Sequence, residues 1–353
     1  MDELRAIAAR VRTREAGEAV GPWTLELYPT LRCNLSCGFC DTTERHRPAV
    51  GELSPGRLLE IVDEAADMGV RRVCILGGGE PLLSKATPLL VRRVKERGMA
   101  GFLTTNGTRC DAPFRALLVE TGWDEVHVSV DGADAETHDR LRGQSGAFQR
   151  TVTALCRLRR DRDAAGSLFP RLALHTVLTR ENVDQLAAIV RLAAALGATR
   201  VDFDALVAYR PEQRVHALGL AEEVRLPASV RAGLAEAARL GVATTLDRFL
   251  DAATLRRGDR PPPAASGEGI AGAPCLKAWH YLVVQADGRT SPCCVLAGEG
   301  ESVADRPLAK VWNDSPYLES VRTGMRAGRP TGRCAECSEN ILAHERLIRG
   351  QLT

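Results

Sequence analysis

The chain has 353 residues, enough for one large domain and a smaller one. Its hydrophobic fraction of 44% and charged fraction of 26% are ordinary for a soluble chain, and a formal charge of +2 argues against nucleic acid or an anionic membrane as partner. No apolar run is long enough to span a bilayer, and the opening Met-Asp-Glu-Leu-Arg-Ala lacks a signal-peptide pattern, so a cytoplasmic protein is expected.

In chain order, a short amphipathic helix over 4–18 precedes a strand at 23–28 and an irregular loop that runs to about 51. Strands and helices then alternate. Helices are expected at 54–68, 85–97, 112–121, 148–161 and 182–196, and strands at 72–76, 101–104, 125–129, 171–178 and 200–206. Ser54-Pro55 opens the first of these helices as N-cap and first-turn proline. Repeated units of this length imply a parallel sheet with helices outside, an α/β partial (β/α)6 barrel. A helix near 228–240 and a weaker one near 246–256 close it. The Pro- and Gly-rich stretch 258–274 reads as a linker. The expected division is an N-terminal helix (1–20), a barrel (21–257), that linker, and a Cys-rich module (275–353).

Eleven cysteines is many for a reducing compartment, where metal ligation is more natural than disulfides. Seven fall in two groups, and Cys74, Cys110, Cys156 and Cys294 stand outside them. Cys33, Cys37 and Cys40 follow the first strand at C-x3-C-x2-C spacing. Closely spaced thiolates on a loop suit an iron–sulfur cluster, and three ligands leave one iron of a four-iron cluster open to a small molecule. A zinc knuckle using His46, or three unrelated thiols, is the alternative.

This motif, with Phe39 before its last Cys, resembles that of the radical SAM superfamily. The resemblance implies that Cys33, Cys37 and Cys40 hold a [4Fe-4S] cluster, that its open iron binds S-adenosylmethionine, and that reductive cleavage yields a 5′-deoxyadenosyl radical. It places Phe39 near the adenine, and Gly78, Gly79 and Glu80 of Gly77-Gly-Gly-Glu-Pro81 at the methionine amino group. It also assigns Arg142, in His138-Asp-Arg-Leu-Arg-Gly143, to the methionine carboxylate. Ser129 suits the ribose, and Leu178 is a further cofactor contact. Asn106 at the end of the third strand, His175 on the fifth, and Asp202 and Asp204, which share a face of the sixth, are candidate substrate residues. Asp131, a carboxylate at the end of the same strand as Ser129, suits a ribose or amino-group contact and equally a helix N-cap.

Cys275, Cys293, Cys334 and Cys337 form the second group, with a hairpin turning at Asp287-Gly288 between the first two. Four thiolates suit an all-cysteine zinc site or a complete [4Fe-4S] cluster. After a barrel of this kind the module resembles the shortened "twitch" form of the SPASM domain, which implies one auxiliary cluster. Such a cluster accepts an electron, which makes dehydrogenation of an alcohol carbon in a sugar or aminocyclitol of antibiotic biosynthesis the expected reaction. Epimerisation with Cys294 as hydrogen donor, or maturation of a precursor peptide, is the alternative. Related peptide-modifying enzymes usually carry an N-terminal peptide-recognition domain, which is not recognisable here. An electron donor such as flavodoxin or ferredoxin is the expected protein partner.

Overall fold

The computed structural model describes residues 2–40, 51–208, 210–250, 269–296, 298–337 and 339–352. His46, most of the expected linker and the end of the weak helix near 246–256 lie outside the described residues. The chain opens with α1 (Asp2–Glu15) and β1 (Thr24–Leu27). Then follow α2 (Pro55–Asp67), β2 (Arg72–Ile75), α3 (Thr87–Glu96), β3 (Ala100–Thr105), α4 (Ala112–Glu120) and β4 (Glu125–Ser129). The second half of the barrel runs α5 (Ala135–Arg142), α6 (Ala147–Ala164), β5 (Arg171–Leu178), α7 (Leu186–Leu196), β6 (Arg200–Ala205), α8 (Leu220–Leu240) and β7 (Ala243–Thr244). The C-terminal part holds α9 (Gly269–Gly272), α10 (Lys277–His280), β8 (Tyr281–Val284), β9 (Thr290–Ser291), α11 (Leu308–Asp314), α12 (Pro316–Arg326) and α13 (Glu339–Arg349).

One sheet runs β7-β6-β5-β4-β3-β2-β1-β8-β9, parallel throughout except for the last pair. Strands β1 to β6 and their helices make the expected partial barrel. Alternation sorts each strand: Val126 and Val128, and Leu172 and Leu174, join the packed core, while Ser129, His175 and Asp202 stand opposite one another in register. All strand C-termini of the parallel run open on one rim, and the loop carrying Cys33 leaves β1 there.

Three elements depart from the sequence reading. α8 begins at Leu220, eight residues before the expected start, and passes through Pro227. Packing of Leu226 and Val230 into the core outweighs the missing backbone donor. α5 forms in a segment to which the sequence reading gave no element, capped by Asp134 through its bond to the Thr137 N–H and ended by Gly143 at φ 62°. Finally, β8 pairs in register with β1, Thr24 against Tyr281 and Leu27 against Val284. The expected hairpin therefore extends the barrel sheet, and Leu282, Val284, Leu308, Trp312 and Leu318 share the barrel's core. Among the described residues no helix is long and apolar enough to cross a membrane.

Candidate active site

The loop after β1 brings Cys33, Cys37 and Cys40 onto one cavity of about 200 Å³, shared with Gly77–Gly79, Glu80, Asn106, Ser129 and Arg142. Its shape depends on glycine. Gly77 has φ 133°, and a Cβ there would lie 2.4 Å from the Tyr28 ring. A Cβ on Gly79 would fall 2.1 Å from the Arg32 carbonyl oxygen, so only glycine lets this turn touch the cysteine loop. The Glu80 N–H donates to that same carbonyl at 2.8 Å.

Glu80 is 2% exposed. Its carboxylate accepts from Leu82 N at 3.0 Å, Thr105 Oγ1 at 2.6 Å and Asn106 N at 2.7 Å. Burial pushes its pKa up, and these donors pull the other way. A carboxylate offers about four acceptor positions, so one remains for an ammonium group. Arg142 is 8% exposed and pairs with the fully buried Asp131, Nη2 to Oδ2 at 2.5 Å. Its Nη1 donates to Cys37 Sγ at 3.7 Å, its guanidinium lies over the Phe39 ring at 5.6 Å, and its buried Nε has no partner. Asp131 Oδ1 accepts from Val177 N at 2.8 Å, and the helix N-cap is Asp134.

The last turn of α5 holds the cysteine loop: Ser36 N donates to Arg142 O and Gly38 N to Leu141 O, both at 3.2 Å. Arg210 Nη2 donates to Cys40 O at 2.9 Å from across the rim. Burial pushes the Cys37 thiol up to about 11 against the pull of Arg142. Cys33 is raised for the same reason, so electropositive metal is needed to hold these groups as thiolates. Three thiols on a cavity also lined by the Arg142 guanidinium and by a carboxylate with one open position fit a three-Cys cluster with an amino-acid-like ligand.

The remaining expected residues divide. Asn106 lines the cavity, with its Nδ2 donating to Asn34 Oδ1 at 3.1 Å, and Ser129 lines it too. Asn34 and Asp131 thus join the site; nothing in its local sequence marks Asn34 for it, and Asp131 is there as the partner of Arg142 rather than as the helix N-cap. Leu178 turns into the packed core and is not brought to the cavity. His175 stands beside Ser129 in register, and its Nε2 meets Asp204 Oδ2 at 3.1 Å. Burial alone would lower the His175 pKa; Asp204, Asp131 and Asp202 outweigh it and raise it. Asp202 turns instead to Arg200, 2.8 Å away. Asn340 of α13 donates to Asp204 Oδ1 at 3.0 Å, a contact between elements far apart in sequence.

Cys275, Cys293, Cys334 and Cys337 meet at a second, apolar cavity of about 30 Å³ walled by Val295, Leu296, Val321 and Met325. No set of three or more His, Cys, Asp or Glu among the described residues is placed to hold a single metal ion. Four cysteines on one small cavity suit an all-cysteine zinc site or a fully ligated cluster. Cys294 does not line this cavity; it is exposed and begins a short turn (Cys294–Leu296).

Comparison with known proteins gives the same two parts. The radical SAM superfamily matches residues 27–193, and an iron-sulfur cluster-binding domain, SPASM, matches 275–338. An AdoMet-dependent heme synthase of Methanosarcina barkeri is 26% identical over 317 residues, 87% of this chain and 86% of that protein. A PqqA peptide cyclase of Granulibacter bethesdensis is 29% identical, covering 83% of this chain and 74% of its own. A mycofactocin maturase of Mycobacterium tuberculosis is 37% identical over 48% of this chain and 41% of its own. Among solved structures, Streptococcus suis SuiB bound to S-adenosylmethionine superposes with TM-score 0.68 at 19% identity, over 88% of this chain and 70% of that one.

Proposed function

The chain belongs to the radical SAM superfamily and carries a SPASM domain, and on that premise we propose that it is an oxidoreductase that dehydrogenates a C–H position of a peptide. With a [4Fe-4S] cluster and S-adenosylmethionine bound at Cys33, Cys37 and Cys40, the site supplies a 5′-deoxyadenosyl radical that removes a hydrogen atom. The chain's own residues bind and orient. Glu80 has one acceptor position left for the methionine ammonium, and the Arg142 guanidinium on the same cavity is the cation for its carboxylate. Ser129, on the same cavity, is assigned to the ribose, and Asn106 is fixed by Asn34.

The observation that carries the oxidative reading is the second cavity. Four cysteines with no open position suit a one-electron acceptor, and the proposal assigns one auxiliary cluster to Cys275, Cys293, Cys334 and Cys337. The peptide class rests on the relationship to a PqqA peptide cyclase across most of both chains. The sugar or aminocyclitol expected from the sequence is the second reading. It is favoured by the polar wall of His175, Asp202 and Asp204 beside Ser129, and a heme synthase among the relatives is compatible with a small substrate.

The test is anaerobic reconstitution. About eight irons per chain are expected, falling to about four when Cys334 and Cys337 become Ala, with 5′-deoxyadenosine formed on reduction. Synthetic peptides and aminocyclitols are then compared for stimulation of 5′-deoxyadenosine release and for a product lacking two hydrogens. Absence of 5′-deoxyadenosine in the unaltered chain sinks the radical reading. Stimulation by aminocyclitols and not by peptides moves the assignment to the second.

A further inference from the structure

Among the described residues that line the four-cysteine cavity, Lys277, two residues after Cys275, is the one that carries a charge. The Lys277 ammonium lies 3.4 Å from the Tyr281 ring centroid. The same side chain also lines another cavity, with Cys74, Tyr281 and the first residues of β1, β2 and β6 (Thr24, Arg72 and Arg200), so it stands between the two spaces. The carboxylates of Glu26 on β1 and Glu345 on α13 face it. Both are engaged elsewhere: Glu26 accepts from the Tyr281 hydroxyl, and Glu345 accepts from Leu276 N at 3.1 Å and pairs with His280.

Charge counts for most where water is scarce. The potential of an iron–sulfur group depends on its net charge, its burial and the charges and hydrogen bonds around it. Reduction adds one negative charge, and the nearest cation on this wall belongs to Lys277.

We propose that Lys277 is the potential-setting residue of the four-cysteine site, its ammonium favouring the reduced form and so making the site an electron acceptor. The inference rests on the two-cluster reading above. In the step it serves, the substrate carbon that has lost a hydrogen atom gives up one further electron, which enters the four-cysteine site. Its proton passes to water, and the C–H pair is oxidised by two electrons in all.

The test uses the full chain with Cys33, Cys37 and Cys40 replaced by Ala, so that only the second site is loaded. Iron content and the midpoint potential are measured by electron paramagnetic resonance during a redox titration. Lys277→Met is expected to retain the iron while its reduction equilibrium at a given potential falls at least tenfold, 59 mV for a one-electron couple. Lys277→Arg is expected to stay within about threefold of the parent, a shift of about 28 mV or less. If Lys277→Met fails to hold iron, Glu26→Gln reports instead, since losing a negative charge that faces the ammonium raises the midpoint. An unchanged midpoint in an iron-loaded Lys277→Met chain, or in Glu26→Gln where that variant is needed, overturns this inference alone. No iron–sulfur signal in the Cys-substituted parent overturns the two-cluster reading and the inference with it.

Discussion

At the residue scale, the site is built from close approaches and saturated charges. Gly79 abuts the Arg32 carbonyl, and backbone cannot yield as a flexible side chain can. Gly79→Ala is therefore expected to cost about 1–3 kcal/mol through overpacking and to strip the first cluster while leaving the second. Iron per chain, halved in the variant, is the measurement. Arg142 and Asp131 form a buried pair, and Arg142→Gln leaves a carboxylate with no exposure unpaired. Breaking such a pair costs about 3–5 kcal/mol, visible as a lowered denaturation midpoint, and 5′-deoxyadenosine formation is expected to fall with it. The Glu345 carboxyl sits beneath the second site. Burial would push it up, but His280, His344 and Lys277 outweigh that and hold it well below the usual carboxylate range. A depressed folded pKa gives stability that is fully present above the unfolded value of about 4.3 and is lost as pH falls below it. Circular dichroism through pH 2–6 is expected to show acid unfolding that is less steep in Glu345→Gln.

At the element scale, α5 is the helix with most consequence. Its N-cap Asp134 and C-terminal Gly143 define eight residues whose final carbonyls hold Ser36 and Gly38 of the cysteine loop. Removing the cap by Asp134→Ala is expected to cost about 1 kcal/mol, which frays the first turn. The expected readout is a faster loss of first-site iron to a chelator, with the second site unaffected. Unchanged chelation kinetics would mean that α5 stays fixed by its buried Leu141 and Arg142 alone. The signals for this helix were in the sequence: an Asp followed by Ala-Glu-Thr, and a glycine after eight residues. Charge density along the segment hid them, because only one face, Thr137, His138, Leu141 and Arg142, is buried.

At the scale of the whole molecule, barrel and Cys-rich module share one sheet. The edge that β1 would otherwise present is covered by β8, with four residues of each in register. A chain ending at residue 268 would expose that edge and lose Leu282, Val284 and Trp312 from the core. It is expected to aggregate rather than fold as a monomer, with size-exclusion chromatography as the check. Recovery of a monomeric, thermally cooperative fragment would show that the barrel's own strands suffice. The same continuity puts Asn340, three residues past Cys337, in hydrogen-bond contact with Asp204 on the barrel wall.

Local sequence carried the order of strands and helices, because periodicity and caps act within a few residues. It carried both cysteine groups as well, because ligand chemistry restricts residue type and spacing regardless of the fold around them. Gly77–Glu80 was legible for a related reason: a close backbone approach admits glycine alone. The tertiary structure decided what depends on partners far away in the chain. It gave Arg142 its buried partner Asp131, turned Leu178 into the core, brought α13 to Asp204, and continued the barrel sheet through β8. Strand pairing and ion pairing of this kind join residues up to hundreds of positions apart. Their energies come from burial and charge at the point of contact, and no local pattern in one sequence encodes which contact forms.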